Sequence, residues 1–157
     1  MFRQILVILS VNFLRYRVAN TRSEVSRIYN YIIYQFPWQF LMLGLFFQSS
    51  ISTLEFPDLG INWFDKILHF VVFGILGLLT SRGFMQMKSD FFRNNYAVLG
   101  MLLCIIYGAI DEIHQSWVPG RHSSIWDWVA DTFGIIVFVW IYTLRSKQGI
   151  MAKGRSQ

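Results

Sequence analysis

The fold is decided by residues 65–84, which read DKILHFVVFGILGLLTSRGF. The stretch is long and apolar enough to cross the hydrocarbon core of a bilayer, which takes roughly 17 to 25 residues. Three more stretches of this kind cover residues 36–54, 96–115 and 124–144. The sequence therefore predicts an all-α, polytopic transmembrane bundle of about four spanning helices. Their short connections make consecutive helices antiparallel.

The composition supports a perimeter that faces lipid. Of the 157 residues, 54% are hydrophobic and only 15% are charged, whereas soluble domains carry about 25% charged residues. The single cysteine, Cys104, lies in an apolar run. A disulfide framework and a cysteine metal site are therefore excluded.

The chain divides into three parts by charge and hydropathy. Residues 1–35 are basic and amphipathic, which favours a helix lying in the membrane interface, with a short fifth span as the alternative. Residues 36–144 form the predicted bundle. Residues 145–157 are basic, and we expect them to be a disordered tail.

The distribution of basic residues predicts the orientation. Of 14 Lys and Arg residues, all but Lys66 and Arg121 lie in the N-terminal region, in the loop at 81–95 or in the tail. Positively charged loops stay in the cytoplasm. We therefore expect a multi-pass protein of the cell membrane with both termini cytoplasmic. This topology accounts for the net charge of +5, so no nucleic-acid partner is predicted.

Three pairs of polar residues are spaced four apart in the predicted helices and fall at their outer ends. Such pairs share a helix face, and ionisable residues inside a membrane segment indicate function by default. The predicted ligand-binding residues are Asp65, Lys66, His69, Asp111, Glu112, Gln115, Arg121, Asp127 and Asp131. Plainer readings are open too: Asp65 as a helix N-cap, Asp127 as an ordinary acid at a helix start, and the whole set as a structural polar network.

Four sequence blocks carry a resemblance to a known family. They are DKILHF at 65–70, DEIHQ at 111–115, PGR at 119–121 and DWVADTFG at 127–134. In order, spacing and placement these blocks resemble the VanZ-like family of small membrane proteins over residues 38–144. Residues 1–35 look like an added element. Many relatives carry asparagine where this chain has Asp131.

The resemblance implies a role at the cell envelope, because the namesake of the family is associated with resistance to glycopeptide antibiotics such as teicoplanin. It implies no established reaction. We therefore expect an outward-facing site for a lipid headgroup, a lipid-linked envelope precursor or an amphiphilic antibiotic. Arg121 and Lys66 would engage an anionic group, while the carboxylates would orient these cations or bind hydroxyls and amines.

Other functions remain open from the residues alone. An intramembrane enzyme acting on a lipid would use His69 as acid or base, with Glu112 and Asp131 as further catalytic candidates. A carboxylate cluster with one histidine can also hold a hard divalent cation. No known metal motif appears, however, so neither metal nor cofactor is predicted. A proton relay is disfavoured because polarity is confined to one end. A structural network would suit a protein that binds a membrane protein partner or a second copy of itself.

Overall fold

The structure, a computed structural model, describes residues 20–51, 63–121 and 123–154. The chain divides into two units, Met1–Ile33 and Tyr34–Gln157. In the first unit, residues 20–30 form helix α1. The helices of the second unit are α2 (Phe36–Ser50), α3 (Phe64–Met85), α4 (Asp90–Asn94), α5 (Tyr96–Gln115) and α6 (Ile125–Gly154). The all-α prediction is confirmed for the residues described.

Within the described part of the chain, three helical segments are long and apolar enough to cross a membrane: Phe64–Met85, Tyr96–Gln115 and Ile125–Ser146. The predicted first span, 36–54, corresponds to α2, which has 15 residues. Its predicted end lies outside the described residues, so a count of four spans remains a prediction. A π-helical turn, Tyr31–Gln35, comes before α2. Pro37 opens α2 and lacks the backbone N–H of a regular helix, so it favours such an irregular turn.

Helix α3 is the centre of the bundle and packs against α2, α5 and, most extensively, α6. Consecutive spanning helices are antiparallel, as predicted. Helices α3 and α6 therefore start at the same end and run parallel. Their contacts follow this register, from Lys66 with Asp127 at the start to Met85 with Tyr142 near the other end.

Small residues allow α3 and α6 to approach closely. A side-chain carbon added at Gly134 would collide with the backbone carbonyl of Phe70. Glycine is needed here because only its bare backbone fits against another helix at that separation. Below this crossing lies a tightly packed cluster, which we call the core layer, formed by Phe73, Leu76, Cys104, Ile135 and Val139.

The C-terminal part differs from the prediction. Residues 145–157 were expected to be disordered, but α6 continues to Gly154. The sequence of this extension contains lysine, glutamine, methionine and alanine, all of which favour helix. Basic residues are also favourable at a helix C-terminus because they interact with its partial negative charge.

Candidate functional site

Polar side chains gather at the end of the bundle where α3 and α6 begin and α5 ends. We call this cluster the polar cap. The predicted ligand-binding residues lie in or beside this cluster, related by ion pairs, hydrogen bonds or a shared cleft, with Arg121 linked through Gln48: Asp65, Lys66, His69, Asp111, Glu112, Gln115, Arg121, Asp127 and Asp131. Five of them are buried, namely Asp111, Glu112, Gln115, Asp127 and Asp131.

The parallel α3–α6 pair supplies the first set of contacts. Lys66 forms an ion pair with Asp127, and its Nζ lies 3.4 Å from Oδ2 of Asp65. Asp127 is buried by this contact, so it is not an ordinary surface acid at a helix start. Asp65 is half-exposed and lies in the first turn of α3, whose N-cap position is held by Trp63. The N-cap reading of Asp65 was therefore wrong.

His69 and Asp131 form a second link between these helices, one turn deeper. Nδ1 of His69 lies 2.9 Å from Oδ1 of Asp131, and Asp131 is only 1% exposed. A carboxylate accepts hydrogen bonds, so Nδ1 donates and the ring orientation is fixed. The other ring nitrogen, Nε2, lies 3.9 Å from Oδ1 of Asp65. Nε2 thus remains available for proton transfer or for binding a ligand.

Helix α5 brings two acids to its last turn. The side-chain amide of Gln115 donates to Oδ2 of Asp111 at 2.9 Å, and the backbone N–H of Ser124 donates to Oε2 of Glu112 at 2.9 Å. The C-terminus of a helix carries partial negative charge, which disfavours carboxylates there. These two acids are therefore held in a position where a nearby positive charge would stabilise them.

Arg121 reaches the cap from the α5–α6 loop. Gly120 just before it has φ of 82°, a left-handed conformation that glycine adopts without strain. The turn directs Arg121 toward α2, where its Nη2 donates to the carbonyl of Gln48 at 2.6 Å. Both cations expected to engage a ligand thus have partners within the chain: Lys66 is paired with carboxylates, while Arg121 retains further donors.

Several buried polar atoms of the cap have no hydrogen-bond partner among the described residues. They are Oδ1 of Asp111, Oε1 of Glu112, Oδ2 of Asp131 and Nε of Arg121. Buried polar groups in proteins are nearly always paired, because an unpaired one costs free energy. Three unpaired carboxylate oxygens in one cluster therefore mark the cap as a candidate binding site.

A cleft of about 170 Å³ runs into the cap between α2, α3 and α5. Its polar wall is formed by Gln48, Asp65, His69, Asp111 and Gln115. Its apolar wall is formed by Leu45, Leu68, Val72 and Phe73. The cleft therefore joins a charged end to a hydrophobic end.

The structure also adds residues that the sequence did not single out. Gln48 lines the cleft and holds Arg121, and the backbone of Ser124 holds Glu112. Gly108 leaves room beside Asp131, since a carbon added there would lie 3.4 Å from Oδ2 of that residue. A signal for Gln48 was present in the polar run at 48–50, which ends an apolar helix. Nothing in the sequence marked Ser124 or Gly108.

These features define a polytopic α-helical membrane protein with a polar cap at one end of its bundle. A family model described as VanZ/LLP1 matches residues 3–146, so the chain belongs to the VanZ/LLP1 family. The match begins near the N-terminus, which corrects the expectation that residues 1–35 are an added element. Comparisons with curated proteins and with solved structures returned no match.

Proposed function

We propose that the polar cap recognises the headgroup of an amphiphile at the outer face of the cell membrane: a membrane lipid, a lipid-linked envelope precursor or an amphiphilic glycopeptide antibiotic. The outward placement rests on Arg82, Lys88, Arg93 and Arg145, which lie at the opposite end of the bundle, because basic residues favour the cytoplasmic side. With this orientation the cap lies at the depth of the lipid headgroups, and both termini are cytoplasmic.

The cleft carries this proposal, because its two walls match the two parts of an amphiphile. Phe73 and Val72 offer contact to an acyl or prenyl chain, while Asp111 and Gln115 offer hydrogen bonds to a headgroup. Ligand sites are typically apolar, with a few well-placed polar groups that fix the orientation of the ligand. A cleft of about 170 Å³ holds part of a headgroup rather than a whole lipid, so the chain of the lipid would stay in the bilayer.

The charged residues of the cap indicate which chemical groups of a headgroup the site would bind. Lys66 is neutralised by Asp65 and Asp127, so it no longer serves as the main anion-binding group. Arg121 keeps that role, because it lies next to the cleft through its contact with Gln48 and its Nε has no hydrogen-bond partner among the described residues. A guanidinium suits phosphate or carboxylate. The unpaired oxygen of Asp111 suits a hydroxyl or an amine.

Native mass spectrometry of the full chain extracted with its own lipids tests the proposal. We expect a bound lipid or lipid-linked adduct on wild type that is lost from Arg121→Ala and from Asp111→Asn. The matched controls are Arg93→Ala and Asp90→Asn, which alter an exposed ion pair in α4, and both should keep the adduct. Circular dichroism confirms that each variant is folded. If all variants retain the same bulk lipids as wild type, the cap is not a headgroup site.

The His69–Asp131 pair favours a second candidate, acid–base catalysis on a lipid-linked substrate. An imidazole oriented by a buried carboxylate and facing a cleft is a typical general base. His69→Gln should then keep the bound amphiphile and abolish product formation, followed by mass spectrometry of the lipid extract. Turnover that survives this substitution would exclude His69 as the catalytic base.

A further inference from the structure

We propose that the inner part of the polar cap binds one divalent metal ion through His69, Glu112 and Asp131. One potential ligand atom from each of these residues lies within 4.8 Å of the other two. With metal–ligand bonds of about 2.0–2.2 Å, three ligand atoms around one ion lie about 3.3–3.8 Å apart. Side-chain shifts of up to about 1 Å therefore bring the three ligand atoms to bonding distance from one ion.

The buried carboxylate oxygens provide independent support. Asp131 is 1% exposed and Glu112 is 8% exposed. Each carboxylate uses one oxygen within the chain, for His69 and for the backbone of Ser124. The remaining oxygens, Oδ2 of Asp131 and Oε1 of Glu112, have no partner among the described residues. Buried carboxylates without a counter-charge are costly, and metal coordination is one of the few ways in which proteins satisfy them.

Two triplets in the cap have suitable residue types, and their surroundings distinguish them. The outer triplet, Asp65, His69 and Asp127, already contains a cation, because the ammonium of Lys66 contacts both aspartates. The inner triplet has no cationic side chain paired with its free oxygens among the described residues. We therefore assign the ion to the inner triplet.

The electrostatics of the cap favour a cation more generally. The described part of the cap holds five carboxylates and two permanently cationic side chains, and one of the two, Lys66, is committed to the outer triplet. Glu112 and its neighbour Asp111 lie at the negative end of α5. A divalent ion would offset both the excess carboxylate charge and this helix dipole.

The ligand types select the kind of metal. One imidazole with two carboxylates suits Zn²⁺, which favours imidazole, or Mn²⁺, which favours carboxylates, whereas Mg²⁺ and Ca²⁺ prefer ligand sets made of oxygen alone. The inference goes beyond headgroup recognition, because it concerns different atoms and needs no amphiphile. A sequence without a recognised metal motif did not predict it.

The test uses the full chain, stripped with a chelator and placed in nanodiscs of phosphatidylcholine, which contain no envelope precursor. Mn²⁺ is titrated and the free ion followed by electron paramagnetic resonance, with Zn²⁺ added as competitor. We expect about one ion per chain. Glu112→Gln and Asp131→Asn should each weaken binding by at least about tenfold, while Asp90→Asn, a carboxylate outside the cap, should leave it unchanged.

The failure of this proposal is distinct from the failure of amphiphile binding. Absence of stoichiometric binding in folded wild type, or binding that Glu112→Gln and Asp131→Asn leave intact, overturns the metal site whatever the lipid experiment shows. The proposal is also overturned if Asp65→Asn loses metal binding while Glu112→Gln keeps it, because the ion would then lie at the outer triplet. Melting temperature gives a second readout: added metal should raise it for wild type and not for Glu112→Gln.

Discussion

The polar cap and the core layer are built from the same three helices, yet they bury very different chemistry. In the core layer, Leu76, Ile135 and Val139 fill space, and the polar contact present is neutral, from Cys104 to the hydroxyl of Thr80 at 3.4 Å. In the cap, one carboxyl oxygen of Asp131 and one of Glu112 are buried without a partner among the described residues. Burying an ion costs far more than burying a hydroxyl. We therefore expect the core layer to contribute most to stability, and the cap to contribute to the binding proposed above.

The largest effect on stability should come from the close α3–α6 crossing just below the cap. Gly134→Ala places a carbon against the carbonyl of Phe70, and relieving that clash requires the helices to separate. We expect the free energy of unfolding to fall by about 3 kcal/mol, measured by unfolding in mixed micelles. Gly44→Ala is the matched control, because an added carbon there meets nothing within 4 Å. Equal effects at both glycines would contradict the close packing.

Cavity formation in the core layer should have the next largest effect. Leu76 is fully buried while its neighbour Ile75 is 40% exposed. Lipid is as apolar as leucine, so the loss arises from packing contacts rather than from transfer out of water. We expect Leu76→Ala to lower the free energy of unfolding by about 2 kcal/mol and Ile75→Ala to change it little. If Ile75→Ala lowers the free energy of unfolding more than Leu76→Ala does, Leu76 is not the residue that packs in the core.

A substitution in the cap should maintain or raise the free energy of unfolding, whereas the two substitutions above lower it. Asp131→Asn removes a buried charge and keeps an oxygen that can accept from His69. In chelator-treated protein we expect stability to stay constant or to rise by about 1 kcal/mol, because the cost of burying a carboxylate is removed while the hydrogen bond to His69 is kept; Asp90→Asn is the exposed control. If Asp131→Asn instead lowers stability as much as Gly134→Ala does, the cap is a structural network and the comparison between the two layers fails.

The smallest effect should come from the neutral polar pair in the core layer. Hydrogen bonds between membrane helices contribute about 0.6 kcal/mol on average. A double-mutant cycle with Thr80→Val and Cys104→Ala should give a coupling energy of this size. A coupling of several kcal/mol would show that the core layer also depends on a specific polar contact.

Much of the fold could be predicted from the sequence, because membrane-spanning helices are recognised by their length and hydropathy. The three spanning segments and the grouping of the polar residues at one end needed only the apolar runs and their polar ends. The close α3–α6 approach was less accessible. In the sequence, Ala130 and Gly134 are small residues four positions apart, a spacing typical of close helix packing in membranes, but this pattern does not say which helix they face.

The sequence predicted which residues form the site, but not which groups each of them contacts. The rotation of each helix about its axis decides whether Lys66 meets a ligand or Asp127, and hydropathy does not fix that rotation. The same uncertainty concealed the burial of Asp127 and the contact of Arg121 with the backbone of Gln48. Backbone partners such as Gln48 and Ser124 are especially hard to foresee, because any residue can provide them.

The parallel pairing of α3 and α6 has a consequence for how the protein is made. These helices are each other's main partners, yet α5 lies between them in the chain, so α3 leaves the ribosome well before α6. Until α6 is made, Lys66 and His69 lack their partners Asp127 and Asp131. Assembly is therefore completed by the last spanning helix, which brings the missing carboxylates. A chain interrupted before that helix carries exposed polar groups that membrane quality control can recognise.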